Sequence, residues 1–108
     1  MLISNMEIIP QRTILKHLGL VQGSTVRAKH AGKDIMAGLK NLLGGELVAY
    51  TELMSEAREE ATNRMIAQAE SLGANAVVNI RFATSSVAQG AAELFAYGTA
   101  VVLDGEVV

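Results

Sequence analysis

One hundred and eight residues, half of them apolar, are enough for one modest hydrophobic core and too few for two. With 19% charged residues and a net charge of −2, the chain is neither wholly disordered nor basic like a dedicated nucleic-acid binder. Cysteine is absent, which excludes a disulfide framework, a zinc knuckle, iron–sulfur ligation and a cysteine nucleophile. No apolar run approaches the roughly 20 residues of a membrane span. Met1 to Pro10 carries no Lys or Arg ahead of its apolar residues, so no secretory signal is expected there. These features predict a single cytoplasmic domain with no nucleic-acid or membrane partner. Aromatics are limited to Tyr50, Phe82, Phe95 and Tyr97. The core must be aliphatic and alanine-rich, which makes oligomerisation a source of extra stability.

In chain order, Thr13 to Leu18 is a short mixed stretch ending at Gly19. Leu20 to His30 reads as a half-buried strand, with strict alternation from Thr25 to Lys29 and a bulge or bend expected at Gly23. Asp34 caps a predicted short helix through Leu43, with Ile35, Leu39, Leu42 and Leu43 on one stripe. Gly44 and Gly45 read as its terminus, leaving Glu46 at the negative end of a helix dipole, where it attracts a cation and repels phosphate. The long helix is predicted from a cap at Thr51 to Gly73. Met54, Ala57, Ala61, Met65, Ala69 and Leu72 form its narrow, small-residue face, and Glu60 and Arg64 form a favourable i, i+4 pair.

Ala76 to Phe82 reads as a strand, with Ala76, Val78, Ile80 and Phe82 on one face and Val77, Asn79 and Arg81 on the other. Thr84 to Ala92 reads as a hairpin loop. Leu94 to Leu103 is a strand apolar on both faces, interrupted by Gly98, which marks a bulge or a close backbone approach. One helix covers one of its faces; the other needs the N-terminal segments or a neighbouring subunit. The order is strand, short helix, long helix, strand, strand, an α+β sandwich with helix on one sheet face.

Charge divides along the chain. The first forty residues hold six basic side chains and two acids; the remainder holds three basic residues and nine acids. Two solvated faces account for this, and so does a bipolar protomer suited to head-to-tail contacts. His17 and His30 lack metal-ligand spacing of their own, but one histidine per chain becomes a ring of imidazoles around a symmetry axis. Glu56 and Glu60 are also i, i+4, either a solvated pair or a hard-cation chelate. Tyr50, Arg58, Asn79, Arg81, Glu93 and Tyr97 are the candidate ligand or interface residues, with Arg81 and Glu93 expected as a cross-strand pair or as part of a polar pocket between subunits. No nucleophile–base–orienter set is visible.

Gly44-Gly45-Glu46, Tyr50, Glu56-Ala57-Arg58-Glu59-Glu60-Ala61, Leu72-Gly73-Ala74-Asn75-Ala76-Val77-Val78 and Tyr97-Gly98-Thr99-Ala100-Val101 form an ordered series. From about Leu18 to Leu103 the chain resembles the YbjQ-like family, also called the putative heavy-metal-binding domain family. The resemblance implies small β-α-β-β subunits, dodecin-like in fold, with an antiparallel sheet on one long helix. An extra short helix and an N-terminal strand are added here. It also implies a pentameric ring and a divalent metal ion as ligand, for which Glu46, His30 and Tyr50 are the contacts to consider. Three functions follow: a non-enzymatic ring binding a metal ion or small ligand at its interfaces, an interaction platform with no small ligand, or an enzyme whose site is shared between protomers through Arg81, Glu93 and Tyr97.

Overall fold

The helix and the sheet meet where both have almost no side chain. Gly23 lies against the helix backbone, and a Cβ there would overlap Ala61 O and Met65 N and come within 2.8 Å of Arg64 Cβ. A computed structural model describes residues 1–28, 45–88 and 91–105, and at 28, 45–50, 87–88 and 91 the backbone alone. Its strands are β1 (Leu2–Ile3), β2 (Ile14–Ala28), β3 (Ala76–Ala88) and β4 (Ala91–Leu103), and its helix α1 is Gly45–Ser71. They form one α+β unit, a four-stranded sheet in the order β1-β3-β4-β2. The sheet is mixed rather than wholly antiparallel, because β1 runs parallel to β3. The predicted short helix from Asp34 to Leu43 lies outside the described residues.

α1 presents Ala57, Ala61, Met65 and Ala69, all fully buried, at steps of four. Met54 packs beside them, whereas Leu72 lies past the helix end and is 46% exposed. Gly73, at φ +85°, ends the helix in a Schellman arrangement: its N–H donates to Glu70 O, and that of Ala74 to Ala69 O. The start differs from expectation. Gly45 and Glu46 belong to the first turn of α1 and Thr51 lies inside it, so neither is a helix stop or a cap. Glu46 therefore sits at the positive end of a helix dipole, which removes the electrostatic reason for a cation there.

β2 is continuous from Ile14, and its register shifts fall near Leu15 and Leu18 rather than at Gly23, which pairs regularly with Ala96. Close packing, not a bulge, is what Gly23 serves. Across the core Val21, Val77, Ile80, Leu94, Ala96 and Ala100 line the helix side of the sheet. Thr25 Oγ1 donates to Ala57 O at 3.2 Å, satisfying the single buried polar side chain among the described residues.

β3 carries the bulge that Gly98 foreshadows. Val78 pairs with Thr99 and Arg81 with Tyr97, so Asn79 and Ile80 together oppose Gly98. Asn79 takes φ +56°. A Cβ at Gly98 would lie 2.9 Å from Val77 Cγ1 and from Val78 O. The extra residue reverses the alternation. Ile80 joins Val77 under the helix, while Ala76 and Val78 face away with Val101 and Leu103. The predicted common face of Ala76, Val78, Ile80 and Phe82 therefore does not form, and Asn79 does not share a regular face with Arg81. The N-terminal segment follows this edge: Asn79 N–H donates to Met6 O and Ile80 N–H to Ser4 O. The expected loop from Thr84 is strand instead, with Thr84, Ser85 and Ser86 paired to Leu94, Glu93 and Ala92.

Gly23→Ala forces either the sheet or the helix backbone to move. Urea denaturation is expected to show a loss of about 1–3 kcal/mol, the range for overpacked sites, with unchanged m-value.

Candidate functional site

Among the described residues, the face of the sheet away from α1 is covered at one end only. There Leu2, Ile9 and Ile14 pack on Ala76, Val78, Val101 and Leu103. Asn75 locks this end by donating from Nδ2 to Leu103 O and accepting from Leu103 N–H at Oδ1 (3.0 and 2.7 Å). Asp104 Oδ1 accepts the Thr13 N–H, and Arg12 donates to Asp104 O. The N-terminal segments thus supply half of the cover that the doubly apolar last strand requires.

Beyond that cover the register sets three rows side by side: Gln22, Tyr97 and Arg81; Ser24, Phe95 and Ala83; Val26, Glu93 and Ser85. Leu20 is 70% exposed at the near end of this surface, Val26 53% and Tyr97 37%. Arg81 Nη1 donates to Asn5 O at 3.0 Å and to Ile80 O at 2.9 Å, which holds the guanidinium beside the N-terminal segment. An open groove of about 590 Å³ runs along this edge, between Ile3 and Asn5 on one side and Thr62, Ile80 and Phe82 on the others.

Of the six candidate ligand residues, the fold brings Arg81 and Tyr97 together as cross-strand partners. Arg81 does not face Glu93. Glu93 pairs with Ser85, four residues farther along β3, or about 13 Å at strand spacing. Asn79 is exposed at the bulge. Arg58 is exposed on α1, on the other side of the sheet, and donates to Ser55 Oγ. The side chains of Tyr50 and Glu46, and all of His30, lie outside the described residues.

The charge cluster that does form was only half visible in the sequence. Glu60 bridges Arg27 of β2 and Arg64 of α1, each at 2.5 Å. The pair with Arg64 follows from i, i+4 spacing; the one with Arg27 needs the helix to lie on β2. The Arg27 hydrogen bond, aided by the charges of Arg64 and Arg27, holds the Glu60 carboxyl below the usual range against the opposing effect of desolvation. With both carboxylate oxygens taken by arginines, Glu60 is poorly suited to join Glu56 on a cation.

Residues 1–104 match the YbjQ-like family model, described as "putative heavy-metal-binding". The chain belongs to the YbjQ-like family. It is 71% identical to a UPF0145 protein of Hahella chejuensis over 96% of this chain and 100% of that one. A UPF0145 protein of Archaeoglobus fulgidus is 61% identical over 94% of each chain. A solved structure from Pediococcus pentosaceus, titled as a protein of unknown function in the DUF74 family, superposes with a TM-score of 0.64 at 17% identity. That match covers 96% of this chain and 98% of the other, and supports the fold alone.

The heavy metal in the family's description does not fit the residues described here. Soft, heavy ions prefer thiolate, and the chain has no cysteine. Among the described residues no three His, Cys, Asp or Glu side chains come together. His17 is exposed on β2.

Because Glu60 titrates below its unfolded value, its contribution to stability is present above the ordinary glutamate pKa of about 4.3. That contribution is lost as pH falls through the lower folded value. Arg27→Ala is expected to raise the Glu60 pKa toward the ordinary value in a carboxyl NMR titration and to reduce the acid sensitivity of unfolding.

Proposed function

We propose that this YbjQ-like chain is a non-enzymatic, homo-oligomeric cytoplasmic protein that binds its ligand between subunits. The uncovered half of the sheet carries this reading. Leu20, Val26, Phe95 and Tyr97 make a mostly apolar surface that the described chain does not cover, crossed by the polar row Gln22, Tyr97 and Arg81. An exposed apolar surface of this kind marks an interaction site, and the polar row crossing it supplies hydrogen-bonding groups for a small ligand.

The ring of five is the assembly that the family resemblance implies. Rotational symmetry turns one donor per chain into a closed set, which is how a chain without a clustered donor site acquires one. The ligand class is a divalent cation of hard or borderline character, or a small organic molecule with polar groups for Gln22, Tyr97 and Arg81. A soft heavy metal is the less suitable cargo, because thiolate is absent.

Native mass spectrometry of the untagged protein, before and after addition of manganese, cobalt, nickel and zinc, tests both parts. The expected spectrum shows a homo-oligomer that takes up a discrete, saturable mass. A homo-oligomer with no specific uptake favours an interaction platform instead, and a monomer overturns the assembly reading.

A further inference from the structure

An arginine whose guanidinium is held in place but not neutralised is a ready anion receptor, because its free N–H groups keep a fixed direction. Arg81 is such a residue. Its Nη1 donates twice, to Asn5 O at 3.0 Å and to Ile80 O at 2.9 Å. Nε–H and Nη2–H, which lie parallel on the opposite edge of the guanidinium, have no acceptor among the described residues. No described carboxylate neutralises it either. The ion pairs among the described residues are those of Glu60 with Arg27 and Arg64.

Arg81 lines the open groove of about 590 Å³ between the N-terminal segment, β3 and α1. That volume suits a small organic molecule. The bulge builds the arrangement, because the Ile80 N–H fastens Ser4 O and draws the N-terminal segment alongside Arg81. Ser4 Oγ accepts the Met6 N–H at 3.0 Å, and its own proton has no partner among the described residues. Across the groove the Thr62 hydroxyl donates to Arg58 O at 2.8 Å, back into its own helix. Among the described residues no Asp or Glu lines the groove. The rest of the wall is apolar. Ile3 is 45% exposed and Phe82 51%, with Ile80 buried beside them.

We propose that this groove binds a small amphipathic monocarboxylate, whose carboxylate takes the Nε–H and Nη2–H fork of Arg81 and the Ser4 hydroxyl proton, and whose apolar body lies on Ile3, Ile80 and Phe82. This rests on the ligand-binding reading above and names the ligand's class and its seat. Three observations select a monocarboxylate. A planar fork matches the plane of a carboxylate, which can accept both N–H groups at once. A single arginine balances one negative charge, and the carbonyl oxygens of Asn5 and Ile80 beside Nη1 disfavour a phosphate dianion. The apolar wall gains from covering an aryl or alkyl group, which a fully hydrophilic anion does not supply. The same guanidinium repels a divalent cation.

NMR titration of the wild-type protein with phenylacetate, up to about 20 mM and so well above a Kd of about 1 mM, reads the site. Saturable shifts are expected at the Ile3 and Ile80 methyls together with the Arg81 Nε–H. Phenylacetamide, which has the same shape without the charge, and phenyl phosphate are each expected to bind about tenfold more weakly. Arg81→Lys keeps the charge and loses the fork, and is expected to weaken phenylacetate about tenfold, the effect of one hydrogen bond to a charged group. Amide exchange at Asn79 and Ile80 reports whether the N-terminal segment stays docked in that variant. Should it come loose, Phe82→Ala, which leaves Arg81 and the segment in place, is expected to weaken phenylacetate about fivefold through lost apolar cover. Equal binding of phenylacetate and phenylacetamide, or full affinity in Arg81→Lys with the segment docked or in Phe82→Ala, overturns the assignment. Tighter binding of phenyl phosphate overturns the carboxylate class. No saturable shift in a homo-oligomer that takes up a divalent ion overturns the groove and leaves the reading of a ligand between subunits standing. Uptake of neither overturns both.

Discussion

The architecture depends on how closely α1 lies on β2. Gly23 lets the strand meet the helix backbone at Ala61 and Met65, and Ala57, Ala61 and Ala69 keep the helix side equally thin. Dispersion attraction falls steeply with separation, so a contact built from small residues gains its energy from proximity rather than from side-chain area. Thr25 and Glu60 work only within that geometry. The Thr25 hydroxyl reaches Ala57 O, and the Arg27 guanidinium reaches Glu60, because the two backbones are held close. The same placement sets Gln68 and Arg64 over the outer edge of β2. One packing choice therefore builds the core, the charge bridge and the guard on one side of the sheet.

A helix placed over β2 and β4 leaves β3 poorly covered. The bulge at Asn79 and Ile80 partly compensates, turning Ile80 under the helix and its N–H toward the N-terminal segment. Beyond the bulge β3 continues as an exposed, neutral strand. The asymmetry between a guarded and an open edge is a property of this backbone arrangement, and it gives the molecule unlike sides. A protomer with unlike sides can join head to tail, the contact that closes rings.

Membership in a family described as heavy-metal-binding sits uneasily with this chain's donors. Glu60, one of the few carboxylates with fixed partners, is held by two arginines, and the described histidine stands on an exposed strand. Assembly offers a physical resolution. A site made of one or two groups from each of several subunits leaves no cluster within a single chain.

Much of the fold was legible in residue patterns. The step-of-four alanines, the glycine after the long helix and the doubly apolar last strand each state a local requirement, and the structure meets the first two in full and the third in part: a thin helix face, a Schellman end at Gly73, and cover of Val101 and Leu103 by Leu2, Ile9 and Ile14 on the face away from the helix. The Glu60–Arg64 pair was legible for the same reason, since its spacing lies within one helix. Other features were decided only by tertiary structure. Thr84 to Ser86 has loop-like composition but pairs with β4, because a neighbouring strand already offers its backbone groups. Gly23 looks like a bulge in isolation and proves to be a contact, because what it touches is far away in sequence. Arg81 and Glu93 look like partners until the bulge and register place Tyr97 opposite Arg81. By itself the sequence determined which segments bury a face and where the long helix ends, since those depend on neighbours three or four residues away. Register, parity past the bulge and the open edge of β3 depend on how distant backbones meet, and only the assembled fold decides them.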